Sequence, residues 1–144
     1  MIVSALSLAE CVQVRGRFRR STQLEKDFAA ASKDRGYILT STARDTLRRI
    51  VDSLKSGNTS GAWTLTGPYG VGKSAFAVFL TQLFCGSAEQ RLNAIQQVED
   101  VDKALAKRLR ELNLFDGSGS AFLPVLATAR RAPASKCVAE SVLA

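Results

Sequence analysis

The stretch Ala62-Trp63-Thr64-Leu65-Thr66-Gly67-Pro68-Tyr69-Gly70-Val71-Gly72-Lys73-Ser74 decides how this chain reads. Its last eight residues fit G-x-x-x-x-G-K-[ST] at every fixed position. Gly67, Gly70 and Gly72 lack a Cβ, so the backbone there can take positive φ and curl around an anion. The N–H groups of such a curl converge on one centre. A helix starting at its end adds the positive pole of its dipole. Lys73 stands where an ammonium group reaches the β- and γ-phosphates of a nucleotide, and Ser74 where a hydroxyl meets magnesium. Pro68 fixes φ early in the loop, and Tyr69 and Val71 fill its variable positions. From average composition, a chance match in a chain of this length arises about once in a few hundred sequences. The candidate cofactor-binding residues are Gly67, Pro68, Tyr69, Gly70, Val71, Gly72, Lys73 and Ser74, with ATP and Mg2+ as ligands and the Ser74 hydroxyl as the metal contact. The dinucleotide pattern G-x-G-x-x-G is absent, which disfavours a nicotinamide or flavin site.

Working outward, Ala62–Thr66 has the bulk and branching of a short buried strand. Lys73 to Phe84 reads as an apolar helix with Phe76, Phe79, Leu80 and Leu83 on one side, and Gly86 suits the position just past its end. Strand, glycine loop and helix in that order predict an α/β fold, a parallel sheet flanked by helices. Downstream, one helix is expected from about Ala88 to Leu112, with the stripe Leu92, Ile95, Val98, Val101, Leu105, Leu109 and Leu112. Residues 116–120 read as a loop, and Ala121–Thr128 as a second strand kept at an edge or bulge by Pro124. Residues 133–144 begin another helix. Upstream, Thr42-Ala43-Arg44-Asp45 has the spacing of a helix start, and Leu47, Ile50, Val51 and Leu54 form one apolar stripe behind it. Thr22-Gln23-Leu24-Glu25 opens a short helix from about Gln23 to Ser32, and residues 11–18 alternate loosely as a short strand. The chain divides into a basic N-terminal segment with a short helix, 1–35, and an incomplete nucleotide-binding domain, 36–144.

Composition narrows the class. A chain of 144 residues with 46% apolar content can bury one core. No apolar run reaches the roughly 20 residues of a membrane helix. The N-terminus carries no basic residue ahead of its apolar start, the wrong polarity for a secretory signal, so the protein reads as cytoplasmic. Cys11, Cys85 and Cys137 lie far apart and histidine is absent, which argues against zinc and suits reduced thiols. The net charge of +7 has a local source, the four arginines Arg15, Arg17, Arg19 and Arg20. They form a solvated basic face, an arm that pairs with an acidic part of the same protein, or a contact to nucleic-acid phosphates.

The octapeptide 67–74 makes the chain resemble the P-loop NTPases, whose signature is this Walker A motif. Within them it resembles the AAA-like or origin-recognition-like branch, through the extended piece Tyr37-Ile38-Leu39-Thr40 and the helix beginning near Thr42 that precede Trp63-Thr64-Leu65-Thr66. The likeness spans roughly residues 20–130 and is similar to the N-terminal part of large bacterial ATP-binding proteins, some linked to phage defence or DNA restriction. It implies ATP binding as the start of an ATPase motor or switch acting on DNA or protein. Hydrolysis in that family uses an acid that ends an apolar strand. Here no apolar run ends in Asp or Glu: Asp100 and Asp102 fall in the long helix, Asp116 in a loop, and residues 121–128 run into Arg130-Arg131. The expectation is a partial P-loop NTPase fold, truncated before the Walker B strand, whose missing C-terminal remainder would be its first partner. The alternative is a non-catalytic nucleotide-binding or interaction module, or a truncated pseudo-ATPase; a small phosphotransferase ranks below both. In the same frame Tyr37 either stacks on a base or packs half-buried, and Arg44 either approaches the nucleotide or stays on its helix surface.

Overall fold

The computed structural model describes Thr22, Asp27 and residues 37–56, 62–112, 122, 124–125, 127 and 131–143. Five helices are bounded within them: α1 Ser41–Ser56, α2 Lys73–Cys85, α3 Ala88–Glu99, α4 Lys103–Glu111 and α5 Ala134–Leu143. The last agrees with the helix expected over 133–144.

Helix α1 forms because the stripe of Leu47, Ile50 and Val51 has a core to enter, with Leu54 partly buried beside it. Its start is fixed by Thr40, whose hydroxyl oxygen accepts from the Ala43 N–H at 3.3 Å. Thr40 thus takes the role that the spacing assigned to Thr42. Asp45 makes ion pairs with Arg44 and Arg48 instead of reaching back to a cap.

Helix α2 buries Phe76, Val78, Phe79, Leu83 and Phe84, an apolar set too wide for a single stripe. A helix of this kind is covered on more than one side. Here α2 packs against α3, α3 against α4, and α4 reaches back to α1. One core results, joining Leu39 and the α1 stripe to the phenylalanines of α2 and to Ile95, Val98, Leu105, Leu109 and Leu112. Each such side chain contributes about 1.5–3 kcal/mol when fully buried.

The single helix expected over 88–112 is two. Ser87 opens α3 with a reciprocal cap: its hydroxyl accepts from the Gln90 N–H at 3.3 Å, and its own N–H donates to Gln90 Oε1 at 2.8 Å. The chain then turns at Asp100–Val101, and Asp102 restarts it by accepting the Leu105 N–H at 3.0 Å. The turn resets the helical phase. Ile95 and Val98 stay inside with Leu105 and Leu109, whereas Leu92 is 67% exposed and Val101 52% exposed. The polar sides of α4 and α1 are tied by Arg48–Asp102 at 2.6 Å, Lys55–Glu111 at 3.1 Å and the pair Arg108–Asp52.

The fold-class expectation does not hold. Among the described residues every regular element is an α-helix and no strand or sheet is present, so the structure is all-helical there and not α/β. Residues 62–68 contain no helix, and among the described residues no strand pairs with them. Along them Leu65 packs partly against the core while Trp63, Thr64 and Thr66 are exposed. Bulk and branching favour a strand only where a neighbouring strand supplies hydrogen bonds and packing. Helix faces supply the packing here instead. Of the second expected strand, Phe122, Pro124, Val125 and Ala127 are described and none is in a strand. Phe122 instead meets Phe84 edge-on at 6.1 Å. The parallel sheet, its edge strand and the missing Walker B strand as a boundary of the fold are withdrawn together. The expected strand at 11–18 lies outside the described residues, as does the helix at 23–32 save for Asp27, which is helical.

Gly86 is a correct reading for a different reason. Its backbone is extended, with φ −74° and ψ 168°, not left-handed. Glycine is required by space: a Cβ there would lie 2.4 Å from the Gln82 carbonyl oxygen. Among the described residues, no helix is long and apolar enough to cross a membrane.

Candidate functional site

The octapeptide 67–74 lies between the extended segment and the first turn of α2. Its three glycines are the described residues with positive φ, at 151° for Gly67, 84° for Gly70 and 85° for Gly72. A Cβ on Gly70 or Gly72 would meet no heavy atom within 4 Å. Space therefore does not demand glycine at these two positions; the left-handed backbone does. At Gly67 both conditions act, since a Cβ would also approach Val71 Cγ2 at 3.3 Å.

Gly72 is the residue before α2, and no side chain caps that end. No acidic residue lies in the first turn. The first N–H groups of the helix thus keep their partial positive charge next to the glycine loop, in the arrangement that attracts an anion. Residues 67–72 and Ser74 are exposed, and Lys73 is half-buried.

The Lys73 ammonium donates to the carbonyl oxygens of Gly67 at 2.9 Å and Pro68 at 2.7 Å. It closes the loop into a ring and points two carbonyl oxygens at itself rather than into the curl. An ammonium has three donors, so one remains for an anion with both loop contacts intact. Gly67, Gly70, Gly72, Lys73 and Ser74 are brought together on one short arc, with the Ser74 hydroxyl on the same first turn. Among the described residues, no group of three or more Cys, Asp or Glu side chains converges to hold a metal ion. A magnesium bound here would take most of its ligands from phosphate oxygens and water, with Ser74 as the protein hydroxyl.

The other sequence candidates lie elsewhere. Tyr37 is half-buried, its ring stacked on Phe79 at 4.9 Å and 6.0 Å from Phe76, and burial pushes its hydroxyl pKa up. Its ring packs on the core through these contacts. Arg44 hydrogen-bonds Asp45 through Nε at 3.1 Å and Nη2 at 3.0 Å, which keeps it on the α1 surface. Arg15, Arg17, Arg19 and Arg20 lie outside the described residues. Cys85 and Cys137 are half-buried, and burial raises the Cys85 thiol pKa against a smaller opposing effect of Arg91.

No protein-family model matches the chain, and comparison with curated proteins and with solved structures finds no significant match.

Proposed function

We propose that this chain binds the polyphosphate of a nucleoside triphosphate, with magnesium, through residues 67–74. The observation that carries the reading is the coincidence of three left-handed glycines with an uncapped helix start and a lysine folded over the loop. Holding glycine residues at φ near 85° while exposing them to solvent contributes little to the core. The same geometry is what amide groups need to surround an anion. Lys73 adds a full positive charge at the rim, and Ser74 adds a hydroxyl that suits a phosphate-bound magnesium.

The proposal concerns binding. Backbone amide NMR tests the proposal. Addition of Mg-ATP is expected to move the 15N–1H resonances of Gly70, Gly72, Lys73 and Ser74 most, and those of α4 least. Shifts spread evenly over the chain, or none, reject it.

A further inference from the structure

We infer that residues 62–66 are a docking edge for an acidic, extended peptide segment of a partner protein, which adds to them as a strand with a carboxylate against Arg49. The inference goes beyond the phosphate reading and does not depend on it.

Two observations meet at this edge. The first concerns the backbone. Among the described residues no hydrogen bond uses the N–H or C=O groups of residues 62–66. Trp63, Thr64 and Thr66 are exposed, and Leu65 is partly held by the core. Ala62–Thr66 contains no proline and no charged residue, the devices that blunt an open edge. A row of unpaired backbone groups is a template for another extended chain, which supplies the ladder that this segment lacks.

The second concerns charge. Helix α1 carries four cations, and three of them are neutralised: Arg44 by Asp45, Arg48 by Asp102 and Lys55 by Glu111. Among the described residues Arg49 pairs with no acid. Its guanidinium carbon lies 5.9 Å from the Trp63 ring centroid. A paired strand places one residue opposite Trp63 on the same face, with the two Cβ atoms about 4.5–5.5 Å apart. An aspartate or glutamate there comes within reach of Arg49. The net charge of +7 attracts the same kind of partner. A nucleic acid would answer the charge but offers no amide ladder, so a peptide is the occupant that satisfies both observations.

Amide NMR titrations with three capped heptapeptides test this. One alternates threonine with glutamate, one alternates threonine with lysine, and one is the glutamate peptide N-methylated at the ladder positions. The glutamate peptide is expected to move the resonances of Trp63, Thr64, Leu65 and Thr66 and to slow exchange of their amides. The lysine peptide binds there at least about fivefold more weakly, and Arg49→Gln weakens the glutamate peptide about two- to fivefold, as an exposed ion pair allows. The N-methylated peptide keeps the charge, loses the ladder and does not bind at this edge. Equal binding of the glutamate and lysine peptides, full binding of the N-methylated one, an unchanged affinity in Arg49→Gln, or no shift at residues 63–66 overturns the inference. Concentration-dependent slowing of the same amides in the protein alone assigns the edge to a second copy and also overturns it.

Discussion

Tyr37 stacks on Phe79 with ring centroids 4.9 Å apart, joining the extended segment ahead of α1 to the middle of α2. Phe79 is 1% exposed and also lies beside Phe76, at 6.4 Å between centroids. The glycine loop is therefore launched from a helix that is anchored two turns further on. Phe79→Ala removes a fully buried aromatic and leaves a cavity, at a cost of about 3–5 kcal/mol. Urea unfolding checks the figure. A double-mutant cycle with Tyr37→Ala is expected to return about 0.5–1.5 kcal/mol of coupling for the ring pair.

Asp102 does two things at once. It accepts the Leu105 N–H that starts α4 and takes the Arg48 guanidinium at 2.6 Å from α1. Its carboxyl is held below the usual range, first by the Leu105 backbone hydrogen bond and then by Arg48, against a desolvation effect that raises it. A depressed folded pKa stabilises the fold above the unfolded value of about 3.9, and that stability is lost as pH falls through the folded value. Asp102→Ala is expected to lose about 1–2 kcal/mol at pH 7, the cost of a helix cap with its ion pair. In urea melts the gap to the parent narrows below about pH 4. Asp102→Asn keeps a capping oxygen and loses less.

The division of 88–112 into two helices shows what the sequence made legible and what it hid. The apolar positions Ile95, Val98, Leu105, Leu109 and Leu112 are all buried as their spacing implies. The break between them was written in a residue type that a search for periodicity passes over: Asp102, three residues ahead of Leu105, caps the second helix. The extended segment 62–68 is the opposite case. Its strand-like composition was plain, but a strand is a property of two segments, and no second segment is paired with it among the described residues. Of the candidate site, the glycines, Lys73 and Ser74 were readable from the motif. The Lys73 contacts to Gly67 and Pro68 and the exposure of Tyr69 were not, because both depend on how the loop closes.

Gly70 and Gly86 separate backbone conformation from space. Gly70→Ala meets no atom but must hold φ near 84°, which costs about 1–2 kcal/mol. Gly86→Ala places a methyl group against the Gln82 carbonyl oxygen, which forces α2 or α3 to move, at about 1–3 kcal/mol. Thermal melts give the two stability losses. Binding distinguishes the sites: Gly70→Ala weakens Mg-ATP binding, and Gly86→Ala leaves it unchanged in the folded fraction.

The ion pairs between α1 and α4 are partly exposed and contribute little individually. Lys55→Ala, which removes the 3.1 Å contact to Glu111, is expected to cost less than about 1 kcal/mol. Raising salt to about 1 M shrinks the difference further, because exposed pairs are screened. Urea midpoints at low and high salt measure both.

The central claim is that residues 67–74 grip a polyphosphate, with Lys73 as the charged member of the grip. Calorimetric titration of Mg-ATP into the parent and Lys73→Ala is the most direct test. The parent is expected to bind, and Lys73→Ala to lose at least about tenfold in affinity, roughly 1.4 kcal/mol or more for a charge-assisted contact. An unchanged melting temperature would show that the loss is local. Equal affinity of the two proteins for Mg-ATP, or no binding by the parent, would contradict the claim.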